Sequence, residues 1–278
     1  MDYLASDDLE GREAGTPGYD LAAAYVAAEF EKLGLAPAGD NGTYFQTITF
    51  LRAVRAPDGR NLTITDASGQ ALPLTENVNA VIRGSVRGTD TGAEGQAVFV
   101  GFGVVAPDLG RDDYANLDLN GKIAVMLSGT PKGIQSEERA YYGTRKQKNA
   151  SDRGAIGVIS IETPTSKGIY PFQRLIAEGR LDSANLTWLQ ADGTPYSLAP
   201  TIVAAAGLSL EAAPELFKDA PASWEAIIAA AEAEGGSVPS FDLPLTVSIT
   251  QRSVHDEVLS ANVIGMIEGY DSVLKDEE

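Results

Sequence analysis

The middle of the chain carries a succession of short apolar, β-branched runs, and these runs restrict it to a β-rich fold. Between Asn61 and Gly129 the runs LTIT, NVNAVIRG, QAVFVGFGVV and GKIAVMLS are separated by Gly, Asp and Asn. Runs of this composition between turn-forming residues are typical of β-strands. The sequence therefore predicts an almost entirely β-structured block over residues 61–129.

Helices and strands are mixed after this block. Residues 136–153 have a helical pattern, and the next run, GAIGVISI (154–161), is apolar throughout, as in a strand buried on both faces. A short strand is predicted at 201–207, followed by short helices in LSLEAAPELF and SWEAIIAAAEAE. The chain closes with strand patterns in FDLPLTVSITQRSV and ANVIGMIEG.

The N-terminal region begins with a predicted helix. Thr16 can cap this helix, Pro17 suits its first turn and Gly34 ends it, and a strand follows at 44–53. Because the two ends of the chain resemble each other more than the middle, we predict a domain inserted into a second, split domain. The predicted segments are 1–55 and 244–278 for the split domain and 56–243 for the insert.

Composition excludes several classes of site. The 278 residues include no Cys and one His, so disulfides, cysteine zinc sites and thiol nucleophiles are ruled out. The net charge of −18 repels phosphate backbones and argues against nucleic-acid binding. No run approaches the roughly 20 apolar residues of a membrane span.

Two motifs imitate ligand-binding loops. GFGVVA (101–106) follows a strand as a dinucleotide fingerprint does, but Pro107 and Gly110 predict a loop where that motif needs a helix. NLDLNG (116–121) has Asn116 where a calcium loop begins with Asp and Leu127 where that loop needs a Glu, so it is interpreted as a turn before a strand. The scattered acids Asp112, Asp113 and Asp118 leave a weak cation site as the minor alternative.

Two charged clusters complete the candidate sites. His255 lies beside Asp256 and Glu257, but adjacent strand residues face opposite ways, so the cluster predicts a solvated turn or edge and not a zinc site. A Ser/His/Asp triad would need this one His, and no GxSxG elbow supplies its serine. TRKQK (144–148) is either a solvated helix face or a patch for an acidic substrate or partner.

Two stretches together resemble a known family. YLASDDLEGREAGTPGYDLAAAYVAAEFEKLGLAPAGDNGTYFQ (3–46) looks like the N-terminal segment of bacterial di-zinc aminopeptidases, the group of leucyl aminopeptidases and glutamate carboxypeptidase-like zinc peptidases. VFVGFGVVAPDLGRDDYANLDLNGKIAVML (98–127) with KNASDRGAIGVI (148–159) resembles the protease-associated (PA) domain inserted in many of them. SANVIGMIEGYDSVLKDE (260–277) resembles the strand that resumes the catalytic domain.

The resemblance implies a fold and a function. The fold class would be mixed α/β, with a PA-like swivelling β/β/α domain inserted in a truncated α/β zinc-peptidase domain. In that family two zinc ions and a Glu base hydrolyse peptides, and the first metal ligands, a His-x-Asp motif, lie shortly after the ANVIG strand. No family ligand can be carried over to this chain, so we expect it to be inactive alone, without a catalytic or metal residue. Its full-length parent would hold two zinc ions and be periplasmic or secreted.

The expected partners are a peptide substrate and the missing catalytic domain, with the PA-like domain serving as lid, substrate selector or protein-interaction surface. SGTPKGIQSEERAYYGTRK (128–146), a long polar loop joining a buried strand to a helix, is the predicted cleft-facing surface. Within it Arg139, Tyr142 and Arg145 are the candidates to contact a substrate carboxylate or the catalytic domain; a plain surface loop is the alternative. The segment LEGREAG (9–15) is interpreted as an Arg-anchored structural turn.

Two other functions stay open. The chain could be a free-standing peptide- or protein-binding module with no enzymatic activity. It could also hydrolyse a substrate with a metal-free carboxylate pair, although no pattern in the sequence places two carboxylates in a defined pocket.

Overall fold

The computed structural model describes residues 2–271, and the last residues of the stretch SANVIGMIEGYDSVLKDE lie outside this range. The helices are α1 (Pro17–Lys32), α2 (Ser136–Ser151), α3 (Pro164–Ile169), α4 (Phe172–Ala177), α5 (Ala213–Leu216) and α6 (Trp224–Glu232). The strands are β1 (Ala36–Pro37), β2 (Phe45–Arg55), β3 (Asn61–Asp66), β4 (Ala80–Ile82), β5 (Asp90–Phe99), β6 (Val105–Ala106), β7 (Arg111–Asp112), β8 (Ile123–Leu127), β9 (Gly157–Ile161), β10 (Asn185–Trp188), β11 (Ala204–Leu208), β12 (Phe241–Val263) and β13 (Gly265–Met266).

The chain forms two compact units. Unit 1 comprises Met1–Arg52, Leu186–Pro195 and Asp256–Glu278, and unit 2 comprises Ala53–Asn185 and Tyr196–His255. Strands β2 and β12 contribute residues to both units, and β12 is continuous where the sequence analysis placed two strands with a turn or edge between them. The predicted assignment of 1–55 and 244–278 to a catalytic domain and of 56–243 to an insert stays a prediction.

Unit 2 is built on a mixed β-sheet. Strands β5, β8, β9 and β11 run parallel in that order, β4 pairs antiparallel with β11, and β12 pairs antiparallel with both β5 and β3. Every residue of β8 is buried, as its unbroken apolar sequence predicts for a strand covered on both faces. The mixed α/β class expected from the sequence is therefore confirmed.

An aromatic cluster lies in the main core of unit 2. The rings of Phe99 and Phe217 meet edge to face with centroids 5.0 Å apart, and the ring of Trp224 stacks on Phe217 at 5.2 Å. Phe241 closes the cluster at 5.4 Å from Phe99. These contacts join β5, helix α6 and the start of β12, so that unit 2 has a continuous hydrophobic core of its own.

Unit 1 is organised around α1. Thr16 caps this helix as predicted, its hydroxyl accepting a hydrogen bond from the Tyr19 backbone N–H at 3.4 Å. The helix lies close to the turn Asp7–Leu9, because a Cβ added to Gly18 would stand 1.9 Å from the Leu9 carbonyl oxygen. Tyr19 donates its hydroxyl proton to the Ala261 carbonyl oxygen at 2.6 Å, which ties α1 to the end of β12.

Two sequence predictions are wrong in part. The segment 128–146 is not one loop, because α2 begins at Ser136 and includes the second half of it. The turn at LEGREAG is present, but Arg12 does not anchor it: its exposed side chain makes no hydrogen bond or ion pair with the residues that the structure describes. The Arg12 backbone N–H instead closes the turn on the Leu9 carbonyl oxygen at 2.9 Å.

Candidate functional site

Helix α2 carries the three predicted contact residues. Arg139 is exposed, Tyr142 packs partly against the main core of unit 2, and the Arg145 guanidinium lies 4.3 Å from the ring centroid of Tyr141. Partial burial, with the carboxylates of Glu138 and Asp108, raises the pKa of Tyr142 above its usual value. The exposed aromatic ring of this surface therefore belongs to Tyr141, which the sequence analysis did not select.

Lys146 corrects the interpretation of TRKQK as a solvated face or patch. This lysine is buried, and its Nζ donates to the carbonyl oxygens of Leu127 at 2.6 Å and Gly129 at 2.7 Å. Burial lowers the pKa of Lys146 to about 7, and the carboxylate of Asp113 opposes that shift. Lys146 therefore holds the carboxyl end of β8 against α2.

A cleft of ≈ 550 Å³ lies in unit 2 among three loop segments, 109–115, 131–134 and 235–240. The second segment belongs to the connection between β8 and α2, the helix that carries the predicted residues. The volume of the cleft falls within the roughly 300–1,000 Å³ of ordinary ligand pockets. Residues 131–134 of the predicted surface 128–146 form part of the lining of this cleft.

The cleft contains an ion pair between buried groups. Arg111 Nε lies 2.8 Å from Asp113 Oδ1, and the other carboxylate oxygen of Asp113 accepts the Val104 backbone N–H at 3.0 Å. Burial raises the pKa of Asp113, although Arg111 works against this shift. Arg111 also donates to the Gly236 carbonyl oxygen at 3.2 Å, which connects two walls of the cleft.

The other charges of the cleft are paired as well. Lys132 Nζ lies 2.9 Å from Glu232, and Asp112 lies 3.3 Å from Arg153. Asp112 also accepts the Tyr114 backbone N–H at 3.0 Å. A cleft whose ionic groups are neutralised internally favours a polar, uncharged ligand over a free phosphate or metal ion.

The described residues do not form a site for the zinc ions that the resemblance implies. Within residues 2–271 no three His, Asp or Glu side chains converge to hold a metal ion. His255 Nε2 lies 2.7 Å from the Ser85 carbonyl oxygen, and Asp118 accepts the Asn120 backbone N–H at 3.0 Å. These residues do not fit the zinc chemistry of the family, and no catalytic step follows from them.

The glycine motif 101–106 begins with a turn just after β5. Gly103 has a left-handed backbone (φ 73°), and a Cβ there would lie 2.9 Å from the Tyr114 hydroxyl oxygen, so only glycine fits. The motif ends in the short strand β6, and a single helical turn at Pro107–Leu109 follows it. The dinucleotide alternative therefore has no helix to hold a pyrophosphate.

Comparison with known proteins gives weak likenesses. No family model and no curated protein matches the sequence. An aminopeptidase from Aneurinibacillus sp. strain AM-1 is similar in structure over 97% of this chain and 48% of its own, at 17% identity and a TM-score of 0.44. A psychrophilic subtilisin-like protease from the Antarctic Pseudoalteromonas sp. AS-11 is similar over 74% and 36%, at 12% identity and a TM-score of 0.34.

The chain thus spans about half the length of the aminopeptidase that it resembles. At these identities and TM-scores neither likeness assigns an activity, a metal or a substrate. Within residues 2–271 no helix combines the length and the apolar character that crossing a membrane requires.

Proposed function

We propose that this chain is the non-catalytic, PA-bearing N-terminal part of a periplasmic or secreted zinc aminopeptidase. The observation that carries the proposal is the unfinished packing of unit 1. Leu33, Leu259 and Ile267 are 74%, 64% and 78% exposed, whereas the buried apolar residues of the unit are mostly alanines of α1. Apolar side chains exposed at this level on so small a unit mark a surface that another part of a protein covers.

The proposed role of unit 2 is to bind the peptide substrate. Its ≈ 550 Å³ cleft contains paired charges, which suits the uncharged amide groups of a peptide backbone. Arg139, Tyr142 and Arg145 on helix α2 would contact the substrate or the catalytic domain. The PA-like unit would then select substrate or cover the catalytic site, with two zinc ions and their ligands in the rest of the parent.

One observation favours a second candidate, a free-standing peptide-binding module. Unit 2 has a continuous core of its own, so its stability does not require a catalytic domain. Such a module would bind peptides and hydrolyse none. The two candidates differ in the role of unit 1. In the aminopeptidase its exposed apolar surface is covered by the catalytic domain, whereas in the free-standing module this surface has no function.

An activity assay tests the inactive-alone part of the proposal. Purified protein is incubated with leucine p-nitroanilide in the presence of zinc, with a chelator and after zinc is restored. We expect no turnover under any of these conditions, because no described cluster can hold the metal. Turnover that the chelator abolishes and zinc restores would show that the chain is itself the enzyme.

The two candidates are separated by the natural reading frame. A His-x-Asp motif soon after the ANVIG strand, followed later by a Glu-Glu pair, supports the aminopeptidase. A stop codon directly after Glu278 overturns it in favour of the module.

A further inference from the structure

A second pocket in unit 2 combines apolar walls with an arginine. It has a volume of ≈ 260 Å³ and lies at the carboxyl edge of the parallel strands. Ser128 directly follows β8, Glu162 directly follows β9, and Leu208 is the last residue of β11. Arg83 follows β4, which runs antiparallel to β11, and its backbone N–H donates to the Ala205 carbonyl oxygen at 3.0 Å. The pocket therefore extends from the ends of the parallel strands along the sheet to Arg83.

Most of the pocket surface is apolar. Phe172 and Leu175 of α4 form part of the lining, together with Val81 of β4. Ile169, the last residue of α3, and Tyr170, which follows it, also line the pocket. The volume is below the roughly 300–1,000 Å³ of pockets for drug-sized ligands. The pocket therefore suits one apolar side chain. Removing the apolar surfaces of this side chain and of the pocket from water would favour binding.

Arg83 contributes a positive charge to the pocket. Its guanidinium makes no hydrogen bond or ion pair with the residues that the structure describes. Protein atoms around the guanidinium lower the pKa of Arg83, although the residue as a whole is exposed. Arginine remains protonated in proteins, so Arg83 places a positive charge at the rim of an apolar pocket. This charge stands out in a chain whose net charge is −18.

The acidic residue of the pocket is already engaged. The buried carboxylate of Glu162 accepts the backbone N–H of Phe172 at 2.6 Å and that of Leu210 at 3.1 Å. It positions the pocket walls and makes no ion pair with Arg83. The pocket therefore lacks the negative group that Arg83 can bind, and a ligand can supply it.

The surroundings of Tyr170, another residue of the pocket, are also basic. The hydroxyl of Tyr170 donates to Glu178 at 2.6 Å, and the guanidinium groups of Arg174 and Arg180 lie 5.1 Å and 5.5 Å from its ring centroid. Glu178 balances one of these two arginines. Positive charge is thus in excess near Tyr170 as well as at Arg83.

We propose that this pocket binds the C-terminal residue of a peptide, with its carboxylate on Arg83 and its apolar side chain against Phe172 and Leu175. A guanidinium recognises a carboxylate through two parallel hydrogen bonds. Ile169 is 77% exposed, so the pocket is open at this point and the preceding peptide residues can leave into solvent. The proposal is independent of the ≈ 550 Å³ cleft and of any link to an aminopeptidase.

Ligand titration tests the chemistry of the pocket. N-acetyl-L-leucine and Gly-Leu are titrated into the protein by calorimetry or NMR, beside N-acetyl-L-leucinamide, Leu-Gly and hexanoate. We expect the first two to bind, and the amide to bind about 10-fold or more weakly because it lacks the carboxylate. Equal binding of the amide overturns the role of Arg83. Hexanoate binding as tightly as Gly-Leu overturns the peptide assignment in favour of free carboxylic acids.

Two variants locate the binding. Arg83→Gln should weaken the binding of N-acetyl-L-leucine by about 10-fold or more. Lys218→Gln is the control: it removes one charge from an exposed position outside the pocket and should leave the affinity unchanged. Ile169→Ala should weaken binding about threefold or more through lost apolar contact. Both pocket residues are exposed, so the variants should fold, which circular dichroism checks. Unchanged affinity in Arg83→Gln would place the ligand elsewhere.

Discussion

Lys146 shows how one buried charge can organise a loop. Its Nζ donates to the carbonyl oxygens of Leu127 and Gly129, at the point where the chain leaves β8 towards the ≈ 550 Å³ cleft. Removing the amine would leave two acceptors without this donor inside the protein, a more costly change than losing one exposed hydrogen bond. The loop conformation at the cleft therefore depends on a residue that never faces the ligand.

Lys146→Met should destabilise the protein by about 1–3 kcal/mol, as measured by urea unfolding. The pH dependence provides a second readout. Between the folded pKa of about 7 and the usual lysine value of 10.5, the unfolded chain binds a proton that the folded chain does not. The stability of the folded protein therefore rises with pH across this window. Below pH 7 both states are protonated, and the cost of burying the charged Lys146 amine is present in full.

Lys148→Met is the matched control for this prediction. Lys148 lies two residues further along α2, partly exposed and paired with Asp152 at 2.5 Å, so its replacement should change stability little at any pH. The difference in unfolding free energy between wild type and Lys146→Met should grow from pH 7 to pH 10. A constant difference would show that Lys146 keeps an ordinary pKa in the folded protein.

Helices α1 and α2 contrast in how readily their sequences predict them. Helix α1 has a cap, a proline at its start and a glycine stop, and it forms between Pro17 and Lys32 as expected. Helix α2 directs Tyr142, Lys146 and Ala150 inward at four-residue spacing. The helical pattern of residues 136–153 predicts this helix, and α2 forms over Ser136–Ser151. A lysine in the middle of the inward series interrupts the apolar period, so residues 136–146 also fit the polar loop predicted for 128–146.

The close approach of α1 to the Asp7–Leu9 turn gives a prediction at the level of the element. Gly18→Ala should destabilise unit 1 by about 1–3 kcal/mol, because the new Cβ would lie 1.9 Å from the Leu9 carbonyl oxygen. Gly143→Ala in α2 is the control: its Cβ would meet only the Thr130 methyl group, at 3.6 Å. That change should stabilise the helix by about 1 kcal/mol. Thermal unfolding of both variants decides, and stabilisation by Gly18→Ala would contradict the observed packing.

At the scale of the whole molecule the two units differ in how many large apolar side chains they bury. All three hydrophobic clusters of the described chain belong to unit 2. Unit 1 buries Leu9, Leu51 and the alanines of α1, and leaves larger apolar residues in solvent. Because stability follows the apolar area removed from water, unit 1 should open far more readily than unit 2.

Hydrogen exchange measures this difference directly. In the isolated chain the amides of α1 should be protected from exchange roughly 100-fold less than those of β8 and β9. The strands lie in a core that is exposed only when the protein unfolds globally, whereas unit 1 can open locally. Mass spectrometry of peptides from 17–32 and 123–127 compares the two. Equal protection would show that unit 1 is complete by itself and would weaken the proposal that a catalytic domain covers it.

The sequence by itself determined the mixed α/β class, the boundaries of α1, the buried strands β8 and β9 and the absence of any cysteine chemistry. These features follow from local rules: caps, turn residues and apolar runs act over a few neighbouring positions. The β character of the middle block was predictable for the same reason, since each strand run is bounded by its own turn residues.

Only the tertiary structure decided which side chains meet. Arg83 and Phe172 are 89 positions apart, and Lys146 reaches β8 across a loop, so no local pattern indicates that they line a pocket or hold a strand end. The groups that bind buried carboxylates such as Asp113 and Glu162 are set by the folded structure. The order of strands in the sheet brings strand ends together from distant parts of the chain. Strand pairing is non-local, and the sites built on it are therefore visible only once the sheet has formed.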